Sequence, residues 1–203
     1  MLNHSKFNHM MEFVIALLKA YNACSESLIL RLRQFIFEKK LPKGHTELTA
    51  GEVCRYIYFV KTGLLRSYII KGKKKQVNIW FMAENSMASA PGSFMRQTPA
   101  KEYIEAMEDT TVICLSREHY ELLCDEFPAF QGMALKLLWH YHIMFYERTI
   151  DLLGLTNAEQ YQYLIEKHPE LKQRIAQKYW VSYMGMSNST FNRTAKKQKA
   201  RKS

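Results

Sequence analysis

The sequence lacks the patterns that mark several large classes of protein. Its four cysteines (Cys24, Cys54, Cys114 and Cys124) are widely spaced, and no pair has the CxxC spacing of a zinc ribbon or a thioredoxin-type site. It contains no glycine-rich loop suited to a phosphate and no Ser/His/Asp spacing. The apolar run Met10–Leu18 is too short to cross a bilayer. We therefore expect a cytoplasmic protein with reduced thiols, without catalytic residues, metal or cofactor, and without a membrane partner.

Acidic residues are absent after Glu170. The segment that follows contains nine Lys and Arg, whereas residues 1–170 contain 20 Lys and Arg against 19 Asp and Glu. The formal net charge of +10 is therefore concentrated near the C-terminus. Such a segment suits a polyanion, because each neutralised phosphate releases a condensed counterion. The alternative is an ordinary solvated basic tail, and charge alone does not decide between them.

Two helices are predicted at the N-terminus. Apolar residues recur at helical spacing over residues 6–21, and Ser25 is a suitable N-cap for a second helix over Glu26–Phe37. From residue 41 to residue 115, glycines and prolines separate short segments rich in β-branched and aromatic residues. We predict strands at Tyr56–Val60, Leu64–Ile70, Gln76–Phe81, Tyr103–Met107 and Thr111–Leu115. Short strands at this spacing are typical of an antiparallel barrel or sandwich.

Three further helices are predicted after the strands. Arg117–Cys124 is short, and Pro128–Leu153 is long and apolar on more than one face, which indicates burial by two partners. One partner would be the strands, and the other would be a second copy of the same helix or another part of the chain. Thr156 is a suitable N-cap for a helix over Asn157–Lys167.

The basic C-terminal segment predicts two short helices around a tight turn. The first runs from Gln177 to Met184, Gly185 provides the left-handed conformation, and Ser187 caps a second helix that begins at Asn188. The apolar residues expected to face inward are Trp180, Met184, Met186 and Phe191. The polar residues expected on one exposed side are Asn188, Ser189, Asn192 and Arg193. This is the arrangement of a DNA-binding helix-turn-helix, although an ordinary helical hairpin has the same pattern.

Four segments, in this order, resemble the Crp/Fnr family of bacterial transcription regulators. They are AGEVCRYIYFVKTGLLRSY (Ala50–Tyr68), IEAMEDTTVICLSREHYELL (Ile104–Leu123), YQYLIEKHPEL (Tyr161–Leu171) and QKYWVSYMGMSNSTFNR (Gln177–Arg193). The resemblance implies an α+β protein with an N-terminal double-stranded β-helix (jelly-roll) of the cyclic-nucleotide-binding type. The implied domains are a β-roll effector domain with N-terminal helices over residues 1–125, a dimerisation helix over 126–154, and a helix-turn-helix domain over 155–203.

The resemblance also implies double-stranded DNA as ligand and a homodimer, with RNA polymerase and an unidentified small-molecule effector as further partners. It places Asn188, Ser189 and Arg193 at the positions that read bases. The remaining residues expected at the DNA are Ser187, Thr190, Asn192, Lys178, Lys196 and Lys197. The residues expected at the dimer helix are Met133, Leu137, Tyr141 and Met144.

The sequence departs from the family pattern in the nucleotide pocket. A cyclic-nucleotide site of this family has a Gly-Glu pair and later an arginine that binds the phosphate, but here Ala83 precedes Glu84, and Ala100 occupies the arginine position. We therefore expect no response to cyclic AMP. The residues that would line a pocket for another effector are Glu84, Asn85, Ser93, Phe94, Arg96 and Lys101.

Three departures concern the C-terminal helices. Val181 stands where the family has Ala or Gly, Thr194 stands where it has Ile or Val, and no wing strands fit between Leu171 and Gln177. They favour one alternative, an effector-binding or interaction module whose helix-turn-helix has degenerated. A cupin-like enzyme is a further alternative, but the only H-x-H motif, His140 to His142, lies in a helix, where residues two apart point in different directions.

Overall fold

The computed structural model describes residues 25–72, 74–167 and 171–200, together with Ala16 and Lys19. The helix predicted over residues 6–21 falls almost entirely outside these residues. The chain divides into two compact units. Unit 1 comprises the described residues up to Arg66 together with Phe81–His140, and unit 2 comprises Ser67–Trp80 and the described residues from Tyr141 onward.

Within the described ranges, eight strands form two four-stranded sheets. Their bounds are β1 Ile36–Leu41, β2 Thr46–Leu48, β3 Tyr56–Thr62, β4 Leu65–Lys71, β5 Lys75–Met82, β6 Met87–Ala88, β7 Tyr103–Ala106 and β8 Thr110–Ser116. The strand order is β1-β8-β3-β6 in one sheet and β2-β7-β4-β5 in the other. All five strands predicted from the sequence are confirmed, and the α+β fold with antiparallel pairing is confirmed with them.

Strand β1 is absent from the sequence-based prediction. The sequence IFEKKL has three consecutive charged residues, so its alternation is hidden, and its first two residues continue the helical pattern that precedes them. In the structure that helix ends at Phe35, and β1 pairs antiparallel with β8 from Ile36 opposite Leu115 to Leu41 opposite Thr110. Pairing with a buried neighbouring strand outweighs the weak local preference of such a segment.

Seven helices accompany the strands among the described residues. Their bounds are α1 Glu26–Phe35, α2 Pro91–Arg96, α3 Arg117–Glu126, α4 Pro128–Gly154, α5 Asn157–Lys167, α6 Gln177–Tyr183 and α7 Asn188–Ala200. Two predicted caps are present. The Ser25 hydroxyl accepts from the Leu28 N–H at 3.3 Å, and Thr156 exchanges hydrogen bonds with Glu159 in a capping box.

The core of unit 1 lies where α1, α3 and the start of α4 cover β1 and β8. Its buried side chains are Leu28, Leu32, Ile36, Ile113, Leu115, Leu123, Phe130 and Met133. At the surface of this layer, the Arg31 guanidinium bonds to both carboxylate oxygens of Glu126, and thereby joins α1 to α3.

The long helix α4 has apolar residues on two opposite faces, as the sequence predicted. One face buries Phe130, Met133 and Leu137. The other exposes large apolar side chains, which are Leu135, Leu138, Trp139, Ile143, Tyr146, Ile150 and Leu153. Met133 and Leu137, expected at a dimer seam, are therefore buried in the protein's own chain. No helix in the described part of the chain is long and apolar enough to cross a membrane.

Candidate nucleic-acid interface

The turn between α6 and α7 has the conformation predicted from its glycine. Gly185 has φ +65°, which residues with a β-carbon rarely adopt. A Cβ built at this position would meet nothing within 4 Å, so backbone conformation rather than space requires the glycine. The turn is closed by the Met186 N–H, which donates to the Val181 carbonyl at 3.0 Å. Helix α7 therefore starts three residues after Gly185, in a fixed direction.

The first turn of α7 is capped by Ser187. Its hydroxyl accepts from the Thr190 N–H at 3.1 Å and lies 2.9 Å from the Ser189 hydroxyl and 2.8 Å from that of Thr190. Ser187 and Thr190 therefore hold the helix start in place. Asn188, Ser189 and Arg193 are all exposed. Their side chains share the N-terminal half of α7, from which a recognition helix reads base edges.

The opposite side of the two helices is buried. Trp180, Met184 and Phe191 face inward as predicted, while Met186 is half-buried. The Phe191 ring packs edge-on against Tyr161 of α5, with centroids 5.2 Å apart. The two unusual residues of this segment, Val181 and Thr194, are both buried as well, so they are part of this packing.

Two of the expected site residues have neighbours that the sequence did not reveal. The Asn192 side-chain oxygen accepts from the Gln177 side-chain amide at 2.9 Å, which joins the start of α6 to α7. The Lys178 ammonium lies 4.7 Å from the centroid of the Tyr179 ring. Lys196 is exposed, and the side chain of Lys197 falls outside the described residues.

Strand β5 is fastened to α6 by three hydrogen bonds, a contact that sequence reasoning missed. The Ser182 hydroxyl accepts from the Asn78 backbone N–H at 2.9 Å and donates to the Gln76 carbonyl at 3.1 Å. The Asn78 side-chain amide donates to the Tyr179 carbonyl at 3.1 Å. Asn78 is only 3% exposed. In the sequence, this contact is signalled by an amide residue that stands between apolar residues of a predicted strand. An amide that becomes buried there needs hydrogen-bond partners.

An aromatic cluster and the half-buried Arg148 contact the last residue of α6. The Arg148 guanidinium carbon lies 3.3 Å from the centroid of the Tyr183 ring, and its Nη2 donates to the Tyr183 carbonyl at 2.5 Å. The Trp80 ring packs against Phe145 at 4.6 Å and against Tyr183 at 6.3 Å. Burial raises the pKa of Tyr183 to about 12, against the opposing effect of the nearby Arg148 charge.

A small cavity of about 60 Å³ lies beside this cluster within unit 2. The Gln160 side-chain oxygen is buried there without a hydrogen-bond partner among the described residues, while its amide nitrogen donates to carbonyls at the end of α4. The other lining residues include Trp80, Met144, Arg148, Tyr163 and Tyr183.

The expected effector-pocket residues lie in unit 1, and several are engaged in internal contacts. Glu84 accepts from the Gly63 N–H at 2.8 Å. The Ser93 hydroxyl accepts from the Cys54 N–H at 2.9 Å and donates to the Thr98 carbonyl. Phe94 is buried against the Tyr120 ring. Of the others, Asn85 adopts φ +64°, the Arg96 guanidinium lies over Gly92, and Lys101 is exposed.

Ala100, which the sequence resemblance places at the family's arginine position, is buried in the backbone network of unit 1. Its N–H donates to the Glu52 carbonyl at 2.8 Å, and its carbonyl accepts from the Gly51 N–H at 2.9 Å. Its methyl group supplies no charge for a phosphate. The described residues also contain no group of three or more His, Cys, Asp or Glu side chains placed to hold a metal ion.

Comparison with known proteins gives one match to a domain family and then the fold of the chain. Residues 38–127 match the family of cyclic nucleotide-binding domains. No curated protein matches the chain in sequence. The chain has the fold of Crp/Fnr transcriptional regulators, as the sequence resemblance predicted.

Three solved structures carry that conclusion. A protein assigned to the Crp/Fnr regulator family from Eubacterium rectale superposes with a TM-score of 0.71 at 14% identity, over 89% of this chain and 86% of that one. FixK2 from Bradyrhizobium japonicum gives 0.65 at 18%, over 82% and 85%. The catabolite activator protein of Thermus thermophilus gives 0.53 at 18%, over 87% and 84%.

Proposed function

We propose that this protein is a sequence-specific DNA-binding transcriptional regulator of the Crp/Fnr type, with α6 and α7 as its helix-turn-helix. The observation that carries the proposal is the exposed polar face at the start of α7, formed by Asn188, Ser189 and Arg193. The Ser187 cap and the Gly185 turn hold this face in one orientation. A side chain reads a base edge only from a fixed position, so a preorganised helix start suits this task.

The distribution of charge supports the same conclusion. Residues 67–80 and 141–203, the ranges of unit 2, contain fifteen Lys and Arg and five Asp and Glu. The remaining residues contain fourteen of each kind, so unit 2 accounts for the whole formal charge of +10. A neutral unit joined to a strongly basic one is what a DNA-binding protein needs, because only the DNA-facing part must attract phosphates.

The exposed apolar face of α4 supports a homodimer. Leu138, Trp139 and Tyr146 are each more than half exposed, and a contiguous apolar face of this size marks a protein interface. Pairing of two such helices would cover these faces and place two α7 helices for successive major grooves, about 34 Å apart.

The dimer proposal is tested with Leu138→Glu, which places a charge on the exposed face. Leu30→Glu is the matched control, because Leu30 is an exposed leucine on helix α1. Size-exclusion chromatography with light scattering should give a monomer for Leu138→Glu and a dimer for Leu30→Glu. If both variants stay dimeric, α4 is not the seam.

The proposed regulator does not use cyclic AMP as its effector. The family's phosphate-binding arginine is replaced by buried Ala100, and the hydroxyl of Ser93 already bonds to the backbone. Calorimetric titration should therefore show no saturable binding of cyclic AMP in the micromolar range, and tight saturable binding would refute this part of the proposal. The effector that replaces it is unidentified.

The test of DNA recognition is selection from a random duplex library, followed by binding measurements on the selected site and on an unrelated duplex. Arg193→Ala should lose about 1–3 kcal/mol of discrimination between the two, the worth of one bidentate base contact. Lys196→Ala is the matched control, since it removes an exposed charge from the same helix and should weaken both duplexes alike. Absence of any enriched site would favour an effector-binding or interaction module with a degenerate helix-turn-helix.

A further inference from the structure

The loop of the β4–β5 hairpin is a second concentration of positive charge in unit 2. Strand β4 ends at Lys71 and β5 begins at Lys75. Four of the five residues from 71 to 75 are lysines, and the whole range Ser67–Trp80 contains no acidic residue. Lys71, Lys74 and Lys75 are exposed, and none of them forms an ion pair with a carboxylate of the described residues. Lys73 lies outside the described residues.

The hairpin loop is held close to the proposed helix-turn-helix. The Ser182 hydroxyl binds the Gln76 carbonyl and the Asn78 N–H, so β5 is fixed to the last turn of α6. Lys75 is the neighbour of Gln76, about 3.8 Å away between Cα atoms, and Lys74 is one residue further along the chain, in the turn. Ser182 in turn precedes the N-cap of α7 by five residues. The lysines and the start of α7 therefore both lie within a few residues of the contact between β5 and Ser182.

Among the described residues, the segment before α6 offers no strand that would contact the DNA backbone. Residues 171–174 form turns, and the described residues from 141 onward contain no strand. A recognition helix still needs contacts to phosphates on either side of the groove, because these fix its register on the duplex.

We infer that Lys71, Lys74 and Lys75 of the hairpin loop bind backbone phosphates of the DNA beside α7, and so replace a wing. The inference rests on the proposed function. Lysine suits this role because its ammonium is a point charge on a flexible chain, which neutralises a phosphate without reading a base. The β4–β5 hairpin would then contribute affinity and register, and α7 would contribute sequence preference.

The test compares Lys74→Gln/Lys75→Gln with wild type on the selected duplex and on an unrelated duplex of equal length. Fluorescence anisotropy at several NaCl concentrations gives the slope of log affinity against log salt. Removal of one lysine–phosphate pair should make that slope shallower by about 0.9, so the double variant should make it shallower by about 2 per protomer. The affinity for both duplexes should fall by the same factor, because every base-reading side chain is retained.

The matched control is Lys40→Gln/Lys43→Gln, which removes the same charge from exposed positions in unit 1. This control should keep the wild-type slope. An equal loss of slope in both variants would mean that only the net charge of the protein matters, and this would overturn the inference. An unchanged slope in the hairpin variant would overturn it as well. Wild-type protein that binds no DNA would overturn the proposed function and the inference together. Wild-type binding with an unchanged hairpin variant would overturn the inference alone.

A second variant tests whether the hairpin depends on its seat on α6, by which we mean the hydrogen bonds of the Ser182 hydroxyl to Gln76 and Asn78. Ser182→Ala removes the hydroxyl that joins Gln76 and Asn78 to this helix. If the seat positions the lysines, Ser182→Ala should itself lower the salt slope, and adding it to Lys74→Gln/Lys75→Gln should cause little further loss. Fully additive losses would mean that the hairpin loop contacts DNA without this seat and would overturn the positioning step. Circular dichroism and thermal unfolding confirm that each variant is folded.

Discussion

The two compact units differ in how charge and packing are distributed. Unit 1 has equal numbers of acidic and basic residues, and eight buried apolar side chains form one cluster between its helices and β-sheet. Unit 2 carries the entire excess of positive charge. Its own segments are held together by polar and aromatic contacts around α6. We therefore expect stability and the proposed DNA recognition to depend on different residues, so that substitutions can separate them.

The largest expected effect is the loss of a core side chain from unit 1. Leu123 is fully buried, whereas its neighbour Leu122 is 38% exposed on the same helix. Leu123→Ala should lower the free energy of unfolding by about 2–5 kcal/mol because it leaves a cavity. Leu122→Ala should change it by well under half as much. Urea denaturation measures both. Equal losses would contradict the burial of Leu123 in this core.

The same pair of variants also tests whether stability and DNA binding depend on different units. Under conditions where both variants are folded, neither should change the salt slope of the proposed DNA binding, because every side chain proposed to bind phosphate is retained. A changed slope for folded Leu123→Ala would mean that the unit 1 core controls the DNA-facing side chains, and the division between the units would not hold.

Replacement of a glycine by alanine should have a smaller effect on stability, and the sign of this effect should differ between the two units. Gly185→Ala should destabilise the protein by about 1–2 kcal/mol, since a β-carbon is penalised at φ +65°. Gly132→Ala, in the interior of α4 with nothing within 4 Å of the added carbon, should stabilise it by about 0.5–1 kcal/mol. Thermal unfolding compares the two. A neutral or stabilising Gly185→Ala would show that this turn does not require the left-handed conformation.

Much of the fold was predictable because its signals are local. The five predicted strands, the Ser25, Thr156 and Ser187 caps and the left-handed Gly185 each depend on residues a few positions apart. Short elements without such signals, including β2, β6 and α2, were missed. Two of them are only two or three residues long, and α2 begins with Pro-Gly, a pair that normally marks a turn.

The arrangement of the candidate site was less predictable, because it depends on contacts between distant segments. Asn78 and Ser182 are 104 residues apart in sequence, and no periodicity connects them. Helix α4 illustrates the same limit. Its apolar periodicity predicted two buried faces, but it could not tell which face packs inside the protein. Met133 and Leu137 are on the inner face, whereas Leu138 and Trp139 are exposed.

The Ser182 hydroxyl has one more consequence, which concerns solubility. Strand β5 is at the edge of its sheet, and an edge strand with free N–H and C=O groups is a template for pairing with another chain. The bonds from Ser182 to Gln76 and Asn78 occupy two adjacent groups on that edge. Release of α6 from the strand would therefore expose an edge that can pair with another chain. We expect the Ser182 hydroxyl to help protect the folded chain from aggregation.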